Sequence, residues 1–183
     1  MKKDNIFRNL KLVIMMSAFA IGGTALGQSG AKDKKIIADA NVAQAEFIQV
    51  DGLLKSIFEK AYGYVIFPNV GKGAIGIGGA AGNGIAYEKG VMVGKAKLTQ
   101  LSIGFQWGGQ AYREVIFFET KKEMDRFKEN KIEFSAQASA VAATKGASAN
   151  VKYADGIMIF TQQKGGLMYE ASVGGQKFMF TKF

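Results

Sequence analysis

The chain has 183 residues, 48% of them apolar and 21% charged, with a formal net charge of +9. That length suits one domain with a sizeable core, and the balance is that of a globular protein rather than a disordered one. It contains no cysteine and no histidine. This excludes disulfides, thiolate metal sites, thiol nucleophiles and the commonest general base and zinc ligand.

Residues 1–27 read as a secretory signal peptide. "MKKDNIFRNLK" is a basic start, "LVIMMSAFAIGGTA" an apolar core, and Ala25-Leu26-Gly27 a small-x-small cleavage site, which places cleavage before Gln28. The apolar core, broken by Gly22 and Gly23, is short of the roughly 20 residues needed to span a bilayer, so no spanning segment is expected after cleavage. The leader carries +3 of the charge (Lys2, Lys3, Arg8 and Lys11 against Asp4), leaving +6 on the mature chain. The expected location is the periplasm or another exported compartment. Only Arg113 and Arg126 remain as arginines. A lysine-rich surface of this kind suits loose attraction to anionic surfaces, not bidentate base reading, and nucleic acid is not an expected partner.

Residues 28–38 are expected to be a flexible polar segment. From Asp39 to Ala61, apolar residues at Ala40, Ala43, Phe47, Val50, Leu54, Ile57, Phe58 and Ala61 step by three and four, predicting one long amphipathic helix. "YGYVIFPNV" predicts a strand closed by a turn at Pro68-Asn69. Further strands are expected around 84–95, around 98–109 and over "AYREVIFFE". "TKKE" predicts a capping box at Thr120 and a short helix from Lys121 to about Glu129 that buries Met124 and Phe127. The C-terminal third reads as sheet: a small alternating stretch from Ile132, then "DGIMIFTQ", then "LMYEASV" joined through Gly174-Gly175 to "QKFMFTKF" as a hairpin. The predicted fold is α+β. A long N-terminal helix packs on a glycine-rich, mostly antiparallel, barrel-like sheet with one short inserted helix, and residues 39–183 form a single domain.

Seven glycines fall between Gly71 and Gly84, and GKGAIG within them matches the G-x-G-x-x-G spelling of a dinucleotide turn. A working fingerprint needs a helix directly after it. Here "IGGAAGNG" follows, and glycine costs about 1 kcal/mol per residue in a helix, so the match is accidental. Alternation places Gly73, Ile75 and Ile77 on one face of a strand and Ala74, Gly76 and Gly78 on the other. Glycine in a strand marks close backbone approach, a bulge or a sharp bend, and the same habit recurs at Gly104, Gly108-Gly109, Gly165-Gly166 and Gly174-Gly175.

In that order, "AYGYVIFPNVGKGAIGIGGAAGNG", "LSIGFQWGGQAYREVIFF" and "KGGLMYEASVGGQKF" resemble the SYLF lipid-binding domain family, from about Asp51 to Phe180. One stretch departs: the family often carries Trp-Ser-Pro where this chain has "GKAKLTQ". The resemblance implies non-catalytic binding of anionic phospholipids, which are phosphoinositides for the eukaryotic members, with no cofactor and no metal. Lysines contribute roughly 1 kcal/mol each near an anionic surface. The candidate lipid contacts are Lys32, Lys34 and Lys35 ahead of the helix, with Lys72 and Lys164 beside glycine backbone. Trp107 is an interfacial anchor or a core residue. Catalysis is poorly supplied. Asp51, Glu59, Glu88, Glu119, Asp155 and Glu170 fall in no motif, Glu46, Asp51 and Glu59 read as helix surface, and Glu119 and Glu123 as a helix start. The alternative is an envelope binding module that encloses a hydrophobic small ligand or contacts protein partners.

Overall fold

A computed structural model describes residues 24–72, 79–101, 111–134, 139–164 and 171–183. The chain divides into two compact units, 1–35 and 36–183. Helix α1 runs over Thr24–Val50 and α2 over Leu54–Lys60. Strands β1 (Gly63–Lys72), β2 (Gly79–Glu88), β3 (Val91–Leu101) and β4 (Ala111–Phe118) follow, then helix α3 (Lys121–Lys128). The C-terminal part supplies β5 (Ser139–Ala142), a 3-10 turn (Ala147–Asn150), β6 (Ile157–Gln163), β7 (Ala171–Ser172) and β8 (Gln176–Lys182). The fold is α+β. The sheet order is β7-β5-β6-β4-β1-β2-β3-β8, antiparallel except for the β5–β6 pair.

The helical region departs from the single helix expected over 39–61. Helix α1 already includes residues 28–38, and it breaks at Asp51–Leu53. The break has a physical cause in Asp51, which is buried. Its carboxylate accepts from the N–H of Leu53 at 3.2 Å and, across the fold, from the N–H and hydroxyl of Ser148 at 2.8 and 2.6 Å. An aspartate that bonds local backbone N–H groups competes with continuation of the helix. Burial pushes its pKa up, but the Ser148 and Leu53 hydrogen bonds outweigh burial and hold it below the usual carboxylate value. The sequence reading of Asp51 as solvated helix surface is therefore corrected.

Strand β1 does not end at Pro68-Asn69. It runs on to Lys72, and its register shifts between Ile66 and Asn69 against β2 and between Phe67 and Val70 against β4. Proline has no N–H to give a ladder, so it sits at a bulge, where none is demanded. The strand expected across 84–95 is two strands. Lys89 and Gly90, both with positive φ (50° and 77°), make a tight turn joining β2 to β3. Thr120 caps α3 as expected, accepting from the Lys122 N–H at 3.2 Å, and Met124 and Phe127 are fully buried. Gly174-Gly175 is a turn with Gly175 at φ 73°, but it closes no hairpin: β7 pairs with β5 and β8 with β3.

The two faces of the sheet carry separate cores. On the outer face Ala40, Ala43 and Phe47 of α1 with Leu54 and Phe58 of α2 pack on Tyr64, Ile66, Ile85, Tyr87, Val115, Phe117, Met158 and Phe160. Phe58 meets Tyr64 and Phe117 edge-on at 5.0 and 4.8 Å. On the inner face Met124 and Phe127 of α3 join Phe67, Leu98, Phe118, Phe134 and Phe178. The inner face is deeply concave. Gln176 on β8 donates from Nε2 to Glu114 Oε2 on β4 at 3.0 Å, although β1, β2 and β3 lie between them in the sheet. The barrel-like curl is thus present, while among the described residues no ladder joins β7 to β8 and the sheet stays open.

Close backbone approach explains Gly63, Gly82, Gly84 and Gly94 in the sheet. A Cβ on Gly84 would strike the Ile66 carbonyl and the Phe67 ring, and one on Gly94 would lie 2.5 Å from the Phe180 ring and the Thr181 carbonyl. Gly73, Ile75, Gly76, Ile77 and Gly78 lie outside the described residues, as do Gly104, Trp107, Gly108-Gly109, Gly165-Gly166 and Glu170. The segment that contains the rest of GKGAIG is flanked by antiparallel strands, with Lys72 paired to Ala80, and not by a helix.

Candidate functional site

The five candidate lysines fall in two places. Lys32, Lys34 and Lys35 are exposed on α1, in the first compact unit. Lys72 and Lys164 belong to the second unit and meet at one end of the sheet. Lys72 ends β1, Gly71 pairs with Ala111, and the N–H of Lys164 donates to the Ala111 carbonyl at 3.0 Å. The Lys164 ammonium also contacts Asn69 Oδ1. Every polypeptide segment outside the described residues that adjoins this end is glycine-rich in sequence (73–78, 102–110 and 165–170).

The apolar stripe of the amphipathic helix is already used. Ala40, Ala43 and Phe47 are at most 2% exposed, because they pack on the domain's own sheet. Insertion of that stripe into a bilayer would require the helix to leave the core, so an attachment that keeps the fold must use other apolar groups.

The inner face holds a polar cluster that sequence reasoning did not single out. Glu114, Gln176, Tyr112 and Thr161 are completely buried and Gln100 nearly so. Gln176 Nε2 donates to Glu114 Oε2 and, at 3.4 Å, to the Tyr112 hydroxyl oxygen, while Gln100 Nε2 donates to the Gly174 carbonyl at 3.0 Å. Burial, only partly offset by the Gln176 hydrogen bond, pushes the Glu114 pKa up to about 8, so its carboxyl is largely protonated at neutral pH. Burial, and then the neighbouring Glu114, push the Tyr112 phenol upward too. The signal was legible: Glu114 alternates in step with Tyr112, Ile116 and Phe118, which share the inner face. A protonated acid with amide and phenol neighbours can store one proton. Sealed from solvent, it pins β8 across the sheet to β4.

Other carboxylates serve structural pairs. Glu88 accepts from Lys128 and from the Tyr62 hydroxyl, both at 2.9 Å, and Glu46 pairs with Arg113. Among the described residues no three carboxylates converge as metal ligands would, and none of their helices is long and apolar enough to cross a membrane.

Residues 99–182, from the end of β3 through β8, match the family described as Ysc84, Las17-binding protein actin regulator, whose domain is SYLF. The match supports the SYLF family for residues 99–182. The SYLF stretch therefore takes in both buried carboxamides, Glu114 and the α3 insertion. The chain is also similar to Beta cell expansion factor A of Aeromonas veronii, 30% identical over 131 residues that make up 70% of this chain and 49% of that protein. The chain thus spans about half the length of the curated relative it matches. SYLF is a family of binding domains.

Proposed function

We propose that this SYLF protein is a non-catalytic, exported binding module that associates with anionic phospholipid surfaces. The observation that carries the reading is the SYLF match over residues 99–182, since the family resemblance implies lipid binding. The chemistry available supports it: no histidine or cysteine, a net charge of +6 once residues 1–27 are set aside, and exposed lysines at Lys32, Lys34, Lys35 and Lys164. Lys72 joins these as the fifth proposed contact. Attraction is electrostatic, because the helix stripe is buried. The test is co-sedimentation with phosphatidylglycerol-containing and with neutral vesicles at two salt concentrations.

Export is part of the same reading. Residues 1–27 have the composition of a leader, and the N-terminus recovered from the cell envelope is expected to be Gln28 by mass spectrometry. An intact Met1 chain lodged in the inner membrane contradicts it. A second reading, in which the partner is a protein, is favoured by the family description, which names a Las17-binding actin regulator. Under that reading vesicles of either composition leave the protein in the supernatant.

A further inference from the structure

Among the described residues, the outer face of the sheet is only partly covered. Its core draws on β1, β2, β4 and β6 beneath the helices and on no residue of β3 or β8. Alternation sends Lys97 and Thr99 of β3 and Lys177 and Met179 of β8 to this uncovered face, where Thr99 pairs with Lys177 and Lys97 with Met179. Beyond β8 the segment 130–134 extends the surface. Glu133 bridges to Lys177, and Phe134 exchanges backbone hydrogen bonds with Gln176 and Gly175. A cleft of about 450 Å³ runs between these strands, lined by Lys97, Thr99, Asn130, Lys131, Lys177 and Met179 among others.

Two properties distinguish this face. Alternation puts Lys95, Lys97 and Lys177 on it, and strands β3 and β8 contain no aspartate or glutamate. The nearby carboxylates are Glu133, 3.3 Å from Lys177, and Glu129, 2.7 Å from Lys131, in pairs that are all more than half exposed. Exposed pairs of this kind contribute little and yield to a competing anion. Apolar side chains also collect here. Of the six large apolar residues most exposed among the described residues, Met179 (61%) and Met92 (43%) alternate onto this face, and Phe183 follows β8 directly. Unbranched methionine beside lysines whose aliphatic stems run along apolar surface suits a boundary between hydrocarbon and charged headgroups.

We infer that the uncovered β3–β8 face, centred on Lys97, Lys177 and Met179, docks on the headgroup layer of an anionic phospholipid bilayer. This deepens the lipid-binding reading and rests on it. Lysines hold headgroup phosphates around the cleft, and Met179 enters the interface, while the helices stay packed on the other part of the sheet.

The absence of native cysteine allows clean labelling. Met179→Cys and, as a reference on α1, Val42→Cys are each coupled to an environment-sensitive fluorophore and mixed with phosphatidylglycerol–phosphatidylcholine vesicles. The label at 179 is expected to shift to the blue and resist an aqueous quencher, and the label at 42 to do neither. Lys97→Gln with Lys177→Gln, both exposed and outside the core, is expected to weaken vesicle partition by on the order of 25-fold, about fivefold per lysine. If the parent binds anionic vesicles while the 179 label stays aqueous and the double variant binds as the parent does, this face is not the docking surface and the lipid reading stands. If the parent ignores anionic vesicles, as it would were the face built for a protein, both fall.

Discussion

Glu114 shows how much one residue can set. Its Oε2 accepts from Gln176 while Oε1 is buried with no hydrogen-bond partner among the described residues, and its pKa stands near 8 against an ordinary 4.5. A carboxyl whose folded pKa is raised binds its proton more tightly in the fold than in the unfolded chain. Its contribution is therefore whole below about pH 4.5 and is lost as pH rises through about 8. Glu114→Gln keeps the shape and removes the ionisation. Chemical denaturation is expected to place the variant within about 1 kcal/mol of the parent at pH 5. At pH 9 the variant should be the more stable by roughly 3 kcal/mol or more. Parallel stability curves would mean that Glu114 ionises freely and that the inner cluster is open to water. The residue was legible as inward-facing from strand alternation, but its partner Gln176, 62 positions away, was not, because only the curl of the sheet brings β8 to β4.

At the scale of elements, local chemistry was read well where it was self-contained. The Thr120 cap, the burial of Met124 and Phe127, and the strands ending at Phe118 and Gln163 all follow from neighbours within a turn or an alternation. The misses have a common cause in side chains whose role is set by distant partners or by the backbone. Asp51 breaks the helix because Ser148, 97 residues on, supplies donors. Pro68 becomes a bulge because strands on both sides tolerate a register shift. Lys89-Gly90 forms the turn because both residues take positive φ, which the lysine does not announce. Close approach to glycine does occur in the described sheet, tightest at Gly84 and Gly94. Gly84→Ala places a methyl against the Ile66 carbonyl and the Phe67 ring, neither of which can swing away. A loss of about 1–3 kcal/mol is expected by thermal or urea unfolding, whereas Gly71→Ala, with open space at its Cβ, is expected to change little. Equal losses at the two positions would contradict the close-packing account.

For the molecule as a whole, the division of labour between the two sheet faces links fold to function. The helices satisfy the outer face over β1, β2, β4 and β6, α3 fills the concave side, and the remaining surface over β3 and β8 is basic and dotted with methionine. The order of the SYLF motifs made the family of binding domains legible in the sequence. Sequence reasoning did not single out Lys97 or Lys177, because a pairing such as Lys97 with Met179 exists only once β8 has folded back on β3. The central claim is electrostatic attachment to anionic lipid. It is tested most directly by co-sedimentation of the protein with phosphatidylglycerol-containing vesicles at 0.1 M and 1 M salt, between which the Debye length falls from roughly 10 Å to 3 Å. The account predicts binding at low salt that is largely released at high salt, with little binding to neutral vesicles. Binding that is the same for neutral and anionic lipid, or unmoved by salt, would contradict it.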